Sequence, residues 1–307
     1  MADPSCKKSA IEPTLARDGM RYWRLTPDAR LAPWILCYWY VEPDPHSKSA
    51  KPEADRHQLL IPDGYSELVF RLEGGFTRWR VDAPERRARM RASYVIGGRS
   101  HSVLTHTPGE LRLAGVKLDP RALRSLLKMP LTEFRDTTVA CADLGCPALM
   151  DLEDEVANLR SVDGLATVFD RFFLESMAGE GAGEPSVSRL LERILATQGA
   201  QSILEWASEH DVDPRTLERR FVARMGMTPK QFARIVRFKQ SYRRLGSRRP
   251  GERRTYLEPY YDESHFNREF RHFLGSSPLG WASEAAQFRT TVSDHLLEGE
   301  DADSQLR

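Results

Sequence analysis

The spacing of apolar residues divides the chain into a strand-rich first part and a helical second part. Residues 31–42 form an apolar run rich in aromatics, and Leu68, Phe70 and Leu72 alternate with polar neighbours. Alternation with a period of two is typical of strands. Short strands at regular spacing that give way to helices predict an α+β chain, in which a small β-barrel or jelly roll carries a helical extension.

Turn residues and charged runs refine this picture of the first part. The Pro-Asp-Gly sequence at 62–64 predicts a turn between two strands. The arginine-rich stretch 86–91 predicts a basic loop between two short strands. Asp119 is a good N-cap for the first of three helices. The predicted helices cover residues 120–128, 148–159 and 165–177.

The second part contains a repeat whose two copies are 49 residues apart. The first copy has Asp213, Leu217, Arg219, Phe221, Gly226 and Pro229, and the second has Asp262, Phe266, Arg268, Phe270, Gly275 and Pro278. A repeat of this kind usually encodes one supersecondary unit per copy.

Local signals in the first copy predict a helix-turn-helix. Apolar spacing predicts a short helix over 202–210, and Asp211 suits the turn because Asp tolerates the left-handed conformation. Asp213 is a good N-cap for the next helix, and Gly226 is a good residue to end it. A long basic helix over 229–245 follows.

The repeat also resembles a known family. Its two stretches are DPRTLERRFVARMGMTPKQF and YYDESHFNREFRHFLGSSP. In this order and spacing they resemble the DNA-binding module of the AraC/XylS transcriptional regulators. Each helix-turn-helix of that family places its second helix in the major groove of DNA. The resemblance therefore implies a sequence-specific DNA-binding transcription regulator.

The first part shows a weaker likeness to the same family. The stretches are PWILCYWYVE, LIPDGYSELVF, YVIGGRS and LRLAGVKLDPRAL. They resemble the N-terminal sensor domain of some members, which implies a cupin-like domain that senses a ligand or mediates dimerisation. A shared fold does not fix the ligand.

One segment departs from the family pattern. Before the second recognition helix, Thr255 stands where the family has Ala, and Pro259 stands where it has a turn Gly. Proline cannot supply a positive φ angle and removes a backbone donor. We therefore expect the second unit to be looser or reshaped compared with the first.

Polar residues on the outer faces of the two recognition helices are the candidates for contact with DNA bases. They are Arg215, Thr216, Glu218 and Arg219 on the first helix, and Ser264, Asn267 and Arg268 on the second. Arg is the commonest reader of guanine edges, Glu accepts from cytosine, and Asn suits adenine. A solvated charged face with Glu–Arg pairing is the alternative, and we expect the neighbouring His265 to be a packing residue.

Charge is distributed unevenly, although the formal net charge is only +1. From Lys230 to Arg254 there are ten Lys or Arg residues and a single acid, Glu252. A basic stretch between two recognition helices favours a polyanion as partner. The candidates for DNA phosphate contacts, for which plain solvation is the alternative, are Arg220, Arg224, Lys230 and Arg237.

Length and linker signals give the domain plan. A chain of 307 residues can form two domains with substantial cores. We predict a disordered N-terminus at 1–15, a sensor or dimerisation domain at 16–178, a linker at 179–186, an AraC-type DNA-binding domain at 187–288 and an acidic tail at 289–307.

Other kinds of site are disfavoured. The four cysteines form no disulfide or zinc pattern, and His101, His106 and Glu110 have the wrong spacing for a cupin metal motif. Residues 1–11 lack the apolar core of a signal peptide. These observations predict a cytoplasmic protein that is not an enzyme, has no cofactor or metal and does not contact a membrane.

Several alternatives stay open at this point. The aromatic residues Trp34, Trp39, Tyr40 and Tyr65 either line an effector pocket, whose residues the sequence leaves unknown, or belong to the core. The function classes are a DNA-binding regulator, an enzyme with a metal site or a methyl-accepting cysteine, and a protein-interaction module with a degenerate helix-turn-helix. For the regulator, the expected partners are double-stranded DNA, a small-molecule effector, a second copy of the chain and RNA polymerase.

Overall fold

Two antiparallel sheets make up most of the first part of the chain. The structure is a computed structural model and describes residues 14–15, 19–46, 56–159, 161–179, 184–246 and 255–284. Its strands are β1 (Thr14–Leu15), β2 (Met20–Leu25), β3 (Ile35–Pro43), β4 (Arg56–Leu60), β5 (Ser66–Gly74), β6 (Phe76–Arg80), β7 (Ala83–Met90), β8 (Tyr94–Ile96), β9 (Val103–Thr107), β10 (Leu111–Leu118) and β11 (Thr138–Ala140). One sheet has the order β1-β2-β3-β10-β5-β8-β11, and the other has the order β4-β9-β6-β7.

The larger sheet separates two apolar layers. Along β3, Tyr38 and Tyr40 belong to a cluster covered by helices, whereas Trp39 and Val41 belong to the layer on the opposite face. Alternate side chains of a strand point to opposite faces, so an aromatic strand that is buried on both sides fills both layers. The covering helices are α1 (Pro120–Leu127), α2 (Pro147–Ala157) and α3 (Leu165–Ser176). These bounds confirm the three helices predicted from apolar spacing.

One expectation for the first part needs correction, and a second is confirmed with a different strand pairing. The predicted basic loop at 86–91 is wrong, because these residues belong mainly to β7, which pairs with β6. Nearly all of β7 is exposed, so the strand has no apolar alternation that would reveal it. The turn at 62–64 is present, but it links strands of different sheets, since β4 pairs with β9 and β5 pairs with β10 and β8.

The second part is helical. Its helices are α4 (Pro185–Ala196), α5 (Ile203–Glu209), α6 (Pro214–Met225), α7 (Pro229–Gly246), α8 (Glu263–Leu274) and α9 (Pro278–Glu284). Trp206, Phe221, Phe238 and Phe270 form the centre of one buried cluster. The predicted α+β architecture is therefore confirmed, with the sheets first and the helical bundle after them. Among the described residues, no helix is long and apolar enough to cross a bilayer.

The ends and the predicted linker fall partly outside the described residues. Of the N-terminus predicted to be disordered, residues 1–13 lie outside, and Thr14–Leu15 form β1. Within the predicted linker, residues 180–183 lie outside, and helix α4 begins at Pro185. The acidic tail at 289–307 also lies outside the described residues.

Apolar side chains join the two parts. Leu59, Ile61, Trp79 and Leu104 of the smaller sheet belong to the same buried cluster as the core of the helical bundle. Polar contacts accompany this packing, since Arg121 of α1 donates to the hydroxyl of Ser188 on α4 at 2.9 Å. The bundle therefore rests on the sheet domain.

Candidate nucleic-acid interface

Local capping explains where helix α6 begins and ends. The carboxylate of Asp213 accepts a hydrogen bond from the amide of Thr216 at 2.7 Å, and Pro214 occupies the first turn. This hydrogen bond, and then the charges of Arg215 and Arg219, lower the pKa of the Asp213 carboxyl. Gly226 ends the helix with a φ of 73°, a conformation that favours glycine. In the preceding turn Asp211 has a φ of 49°, as the turn prediction required.

The outward face of α6 carries the predicted base-reading residues. Leu217, Phe221 and Met225 are buried at helical spacing, so the opposite face is turned to solvent. The side chains of Arg215, Glu218 and Arg219 are exposed there, and Thr216 is half-buried. The structure therefore brings these candidates together on one accessible surface.

Helix α8, 49 residues later, has the same kind of N-cap and C-terminal residue as α6. Asp262 accepts from the amide of His265 at 2.6 Å, and Gly275 ends the helix with a φ of 72°. Ser264 and Arg268 are exposed, and Asn267 is half-buried. The ring of His265 packs edge-on against Tyr260 with the centroids 5.3 Å apart, in line with the expected packing role.

The segment before α8 is reshaped, but α8 itself is well anchored. The part of this segment that the structure describes, from Thr255 onward, contains a 3-10 turn at Thr255–Leu257, whereas the first unit has the helix α5 before α6. Arg234 of α7 makes two hydrogen bonds of 2.9 Å to the buried carboxylate of Glu269 on α8. Phe238 of α7 also stacks on Phe273 of α8 at 4.3 Å. The central helix α7 therefore anchors the second recognition helix, and Tyr256 and Tyr260 of the preceding segment also pack against Phe266 of α8.

The four candidates for phosphate contacts differ in their exposure and in the groups that their side chains contact. Lys230 is exposed at the start of α7. Arg220 and Arg224 of α6 both lie near the carboxylate of Glu184, at 2.6 and 3.9 Å. Arg237 is half-buried, donates to the carbonyl of Gly199 at 3.2 Å and lies 5.7 Å from the ring centre of Tyr260.

Several basic side chains of α7 therefore make contacts within the protein. Arg244 shows the same behaviour as Arg234 and Arg237, since it donates to the carbonyl of Thr255 and to the side chain of Gln198. A count of basic residues in the sequence overstates the charge that this helix presents to DNA. The sequence does not reveal these contacts, because the partners are distant along the chain.

Both recognition helices end against the sheet domain. A Cβ atom added at Gly226 would lie 2.8 Å from the carbonyl oxygen of Leu131, and one at Gly275 would lie 3.1 Å from Val81. Arg124 of α1 also donates to the carbonyl of Ala223 near the end of α6, at 2.8 Å. The C-terminal ends are thus docked, and sequence reasoning did not anticipate these contacts.

A cavity of about 70 Å³ opens in the sheet domain. Its lining is mainly apolar and aromatic, with Met20, Tyr22, Trp39, Val41, Phe76 and Leu111 among its residues. Of the four aromatics considered from the sequence, only Trp39 lines it. The others are engaged elsewhere: Trp34 lies under Arg121, Tyr40 accepts from Arg112, and Tyr65 lies beside Lys117.

The other candidate chemistry finds no support within the described part of the chain. No group of three or more His, Cys, Asp or Glu residues there could hold a metal ion. His101 instead lies 3.5 Å from Asp136, and His106 stacks on His57. Burial raises the pKa of the Cys141 thiol to about 12, so this sulfur stays protonated rather than becoming a nucleophilic thiolate.

Models of known domain families match segments of both parts. Residues 206–284 match a helix-turn-helix domain family, and residues 23–140 match a domain of unknown function, DUF6597. No curated protein matches the chain. The ToxT structure from Vibrio cholerae O395 aligns with 78% of this chain and 100% of its own at 9% identity and a TM-score of 0.41.

The KdgF structure from Halomonas sp. aligns with 34% of this chain and 84% of its own at 9% identity and a TM-score of 0.24. Scores this low support no conclusion about the chain. The assignment of the second part depends instead on the helix-turn-helix match and on the capped, repeated recognition helices described above.

Proposed function

We propose that the chain is a transcription regulator of the AraC type, which reads two segments of the DNA major groove through the helices α6 and α8 of its helix-turn-helix domain. The observation that carries this proposal is the equivalence of the two helices. Each is capped by Asp, ended by Gly and exposes an Arg at the same place of the repeat, Arg219 in α6 and Arg268 in α8. Two such helices in one chain fit major-groove segments about one turn, ~34 Å, apart.

Specificity would come from the exposed polar face of each helix. On α6 the set combines two arginines with Glu218, which suits guanine and cytosine edges. On α8, Asn267 suits adenine and Arg268 suits guanine. Lys230 would add a phosphate contact, whereas Arg220 and Arg224 would first have to leave Glu184.

The sheet domain would regulate this reading. Its cavity is a candidate effector site, and its surface holds the C-terminal ends of both recognition helices through Leu131 and Val81. A ligand that binds differently to two arrangements of these contacts would shift the DNA-competent population. If no ligand enters the cavity and the affinity of the protein for DNA is the same at all ligand concentrations, the protein would instead be a regulator controlled by its abundance.

Selection of bound duplexes from a random pool, followed by footprinting, tests the proposal. We expect a preferred site with two protected major-groove segments about one helical turn apart. Affinity for this site should exceed affinity for scrambled duplexes by a factor of about 10³ or more. Binding that is equal on all duplexes, or absent at low salt, would contradict the proposal and favour a protein-interaction role.

The same footprint tests two further partners that the resemblance implies. Two protected sites related by symmetry would indicate a homodimer on DNA. A site that overlaps or adjoins a promoter, with transcription in a purified system changed by the protein, would indicate contact with RNA polymerase. Mutation of Arg219 and Arg268 in these assays identifies which protected segment belongs to which helix.

A further inference from the structure

Strand β7 presents a row of arginines that lies outside the candidate interface. Between Ala83 and Met90 the strand contains three arginines and a single acid, Glu85. The exposed arginines of the strand and of the residue after it are Arg86, Arg87, Arg89 and Arg91. Within the described part of the chain, β7 is the end strand of the smaller sheet, so its outer edge borders no further strand. The row is therefore accessible to a macromolecule.

Two of these arginines lie on the face of the smaller sheet that holds the helical bundle. Trp79 of β6 pairs with Leu104 of β9, and both belong to the buried cluster of the bundle. The guanidinium of Arg87 lies 4.6 Å from the ring centre of Trp79. Arg89 shares this face, because alternate residues of a strand point to the same side. Since both arginines are exposed, they extend this face beyond the area that the bundle covers.

The strand begins beside the C-terminal end of the second recognition helix. Val81 lies in the turn between β6 and β7, and it is the residue that a Cβ atom added at Gly275 would approach within 3.1 Å. The ring centroids of His101 and His272 are 5.5 Å apart, which gives α8 a second contact with the sheet domain. From this end of α8, β7 leads along the surface of the sheet domain.

Helix α8 has exposed arginines that lead toward the same end. Arg268 and Arg271 are three residues apart, which makes them neighbours on one face of the helix. Arg271 lies in the last turn of α8. In the turn before β7, the carboxylate of Asp82 is already paired with Arg80, through hydrogen bonds of 2.9 and 2.6 Å. Positive side chains therefore continue from α8 to β7.

We propose that β7 binds the phosphate backbone of DNA beside the segment that α8 reads. Two residues apart on a strand, Arg87 and Arg89 are separated by about 6.7 Å and form a regular row. Arginine pairs with a phosphate through two parallel hydrogen bonds, and such contacts position the protein without reading sequence. This inference rests on the proposed function, and it makes the sheet domain part of the DNA-binding surface.

The place of the row favours DNA over two other roles. Charge on an edge strand prevents pairing with another chain, but that role does not require arginines on the face that holds the bundle. An acidic protein segment would also bind arginines, but it does not account for their position next to a recognition helix. In homeodomains the C-terminal end of the recognition helix contacts the DNA backbone. Backbone phosphates therefore account for both the charge and the place of the row.

Salt titrations of the full-length protein test this contact on three duplexes. One ends at the two segments that α6 and α8 read, and the others add one helical turn, about 10 bp, on the α6 side or on the α8 side. On the duplex extended on the α8 side, Arg87→Gln/Arg89→Gln should reduce the slope of log affinity against log salt by about 2. Binding there should also weaken about tenfold or more at roughly 0.1 M salt. On the other two duplexes the variant should match the unchanged protein.

A matched double variant removes the same charge elsewhere on the sheet domain. Arg30 and Arg171 are exposed and paired with acids, and both lie at helix α3. Arg30→Gln/Arg171→Gln should leave the slope unchanged on all three duplexes. The single variant Arg89→Gln should reduce the slope by about 1 on the duplex extended on the α8 side. It keeps the test available if loss of the Arg87 contact with Trp79 disturbs the fold.

The results separate this inference from the proposed function. Specific binding with a slope that Arg87→Gln/Arg89→Gln does not change would overturn the contact and leave the regulator in place. An equal loss on the unextended duplex would also overturn it, because the charge would then act without phosphates beside β7. A reduced slope on long duplexes of every sequence, with no preferred site, would support the contact and contradict the proposed function.

Discussion

The two helix-turn-helix units differ in what holds their recognition helices. The repeat position that carries Arg220 in α6 carries Glu269 in α8. Arg220 pairs with Glu184 just before α4, and both side chains are partly exposed. Glu269 is buried and pairs with Arg234 of the central helix α7. The first helix is thus tied toward the segment that joins the two parts, and the second is tied into the bundle.

This difference shows how the second unit holds its recognition helix although the segment before that helix is reshaped. Among the described residues before α8, the second unit has a 3-10 turn and no position with a positive φ, whereas the helix α5 precedes α6 in the first unit. The aromatic contacts of α8 and the Arg234–Glu269 pair hold the second recognition helix. In the first unit the helix α5 precedes α6, and the ion pair between Arg220 and Glu184 is partly exposed.

The largest effect is expected from breaking the anchor of the second unit. Glu269→Ala leaves the guanidinium of Arg234 without its buried partner and should lower the free energy of unfolding by about 3 kcal/mol. Arg220→Ala, at the matched place of α6, should cost less than about 1 kcal/mol because its pair is partly exposed. Chemical denaturation of both variants measures the difference. Equal costs would mean that the two anchors are equivalent.

The next effect concerns base reading. Arg219→Ala and Arg268→Ala should each weaken specific binding by about 1–3 kcal/mol and change non-specific binding little. Because α8 is anchored to α7, we now expect the two losses to agree within about 0.5 kcal/mol. Titration on specific and scrambled duplexes provides the measurement. A much smaller loss for Arg268→Ala would show that the reshaped segment before α8 does weaken the second unit.

A pH dependence should distinguish the two docked ends. Burial, then Arg234 and His101, lower the pKa of His272 near the end of α8, against Glu269 and Asp82, which raise it. The lowered pKa means that the folded state disfavours the protonated imidazole. The free energy of unfolding therefore falls as the pH drops below about 6.5, where the unfolded chain takes up the proton more readily. The matched residue of α6 is Ala223, which does not titrate.

Hydrogen exchange at pH 7 and pH 5.5 would test this difference. We expect faster opening of α8 than of α6 at the lower pH, and His272→Gln should remove the change. The same acid response in His272→Gln would assign it to another group.

The smallest effect concerns one phosphate contact. Lys230 and Leu279 occupy the same place of the repeat, and both are exposed. Lys230→Ala should weaken binding to all duplexes alike and reduce the slope of log affinity against log salt by about 1. Leu279→Ala is the matched control and should leave the slope unchanged, because no charge is removed. A slope unaffected by Lys230→Ala would remove this lysine from the interface.

Local signals in the sequence were sufficient to predict where the two helices of the candidate interface begin and end. Asp213 and Gly226 bound α6, and Asp262 and Gly275 bound α8, because a cap depends on a few neighbouring residues. Apolar spacing likewise located the helices that cover the larger sheet. The base-reading residues stay predictions, although the structure places them on exposed helix faces.

The sequence could not assign partners that are distant along the chain. It predicted a loop where β7 runs, because an exposed strand has no apolar alternation and depends on pairing with β6. It named Arg237 as a candidate for a phosphate contact but could not show that this half-buried side chain also contacts Gly199 and Tyr260. Nor could it show that Arg99 is buried, with its Nε and Nη1 atoms lacking a hydrogen-bond partner among the described residues, because this burial arises only when the strands assemble. Caps and periodicity are properties of neighbouring residues, so the sequence determined the helices and their repeat, but burial, pairing and free charge are properties of the assembled fold.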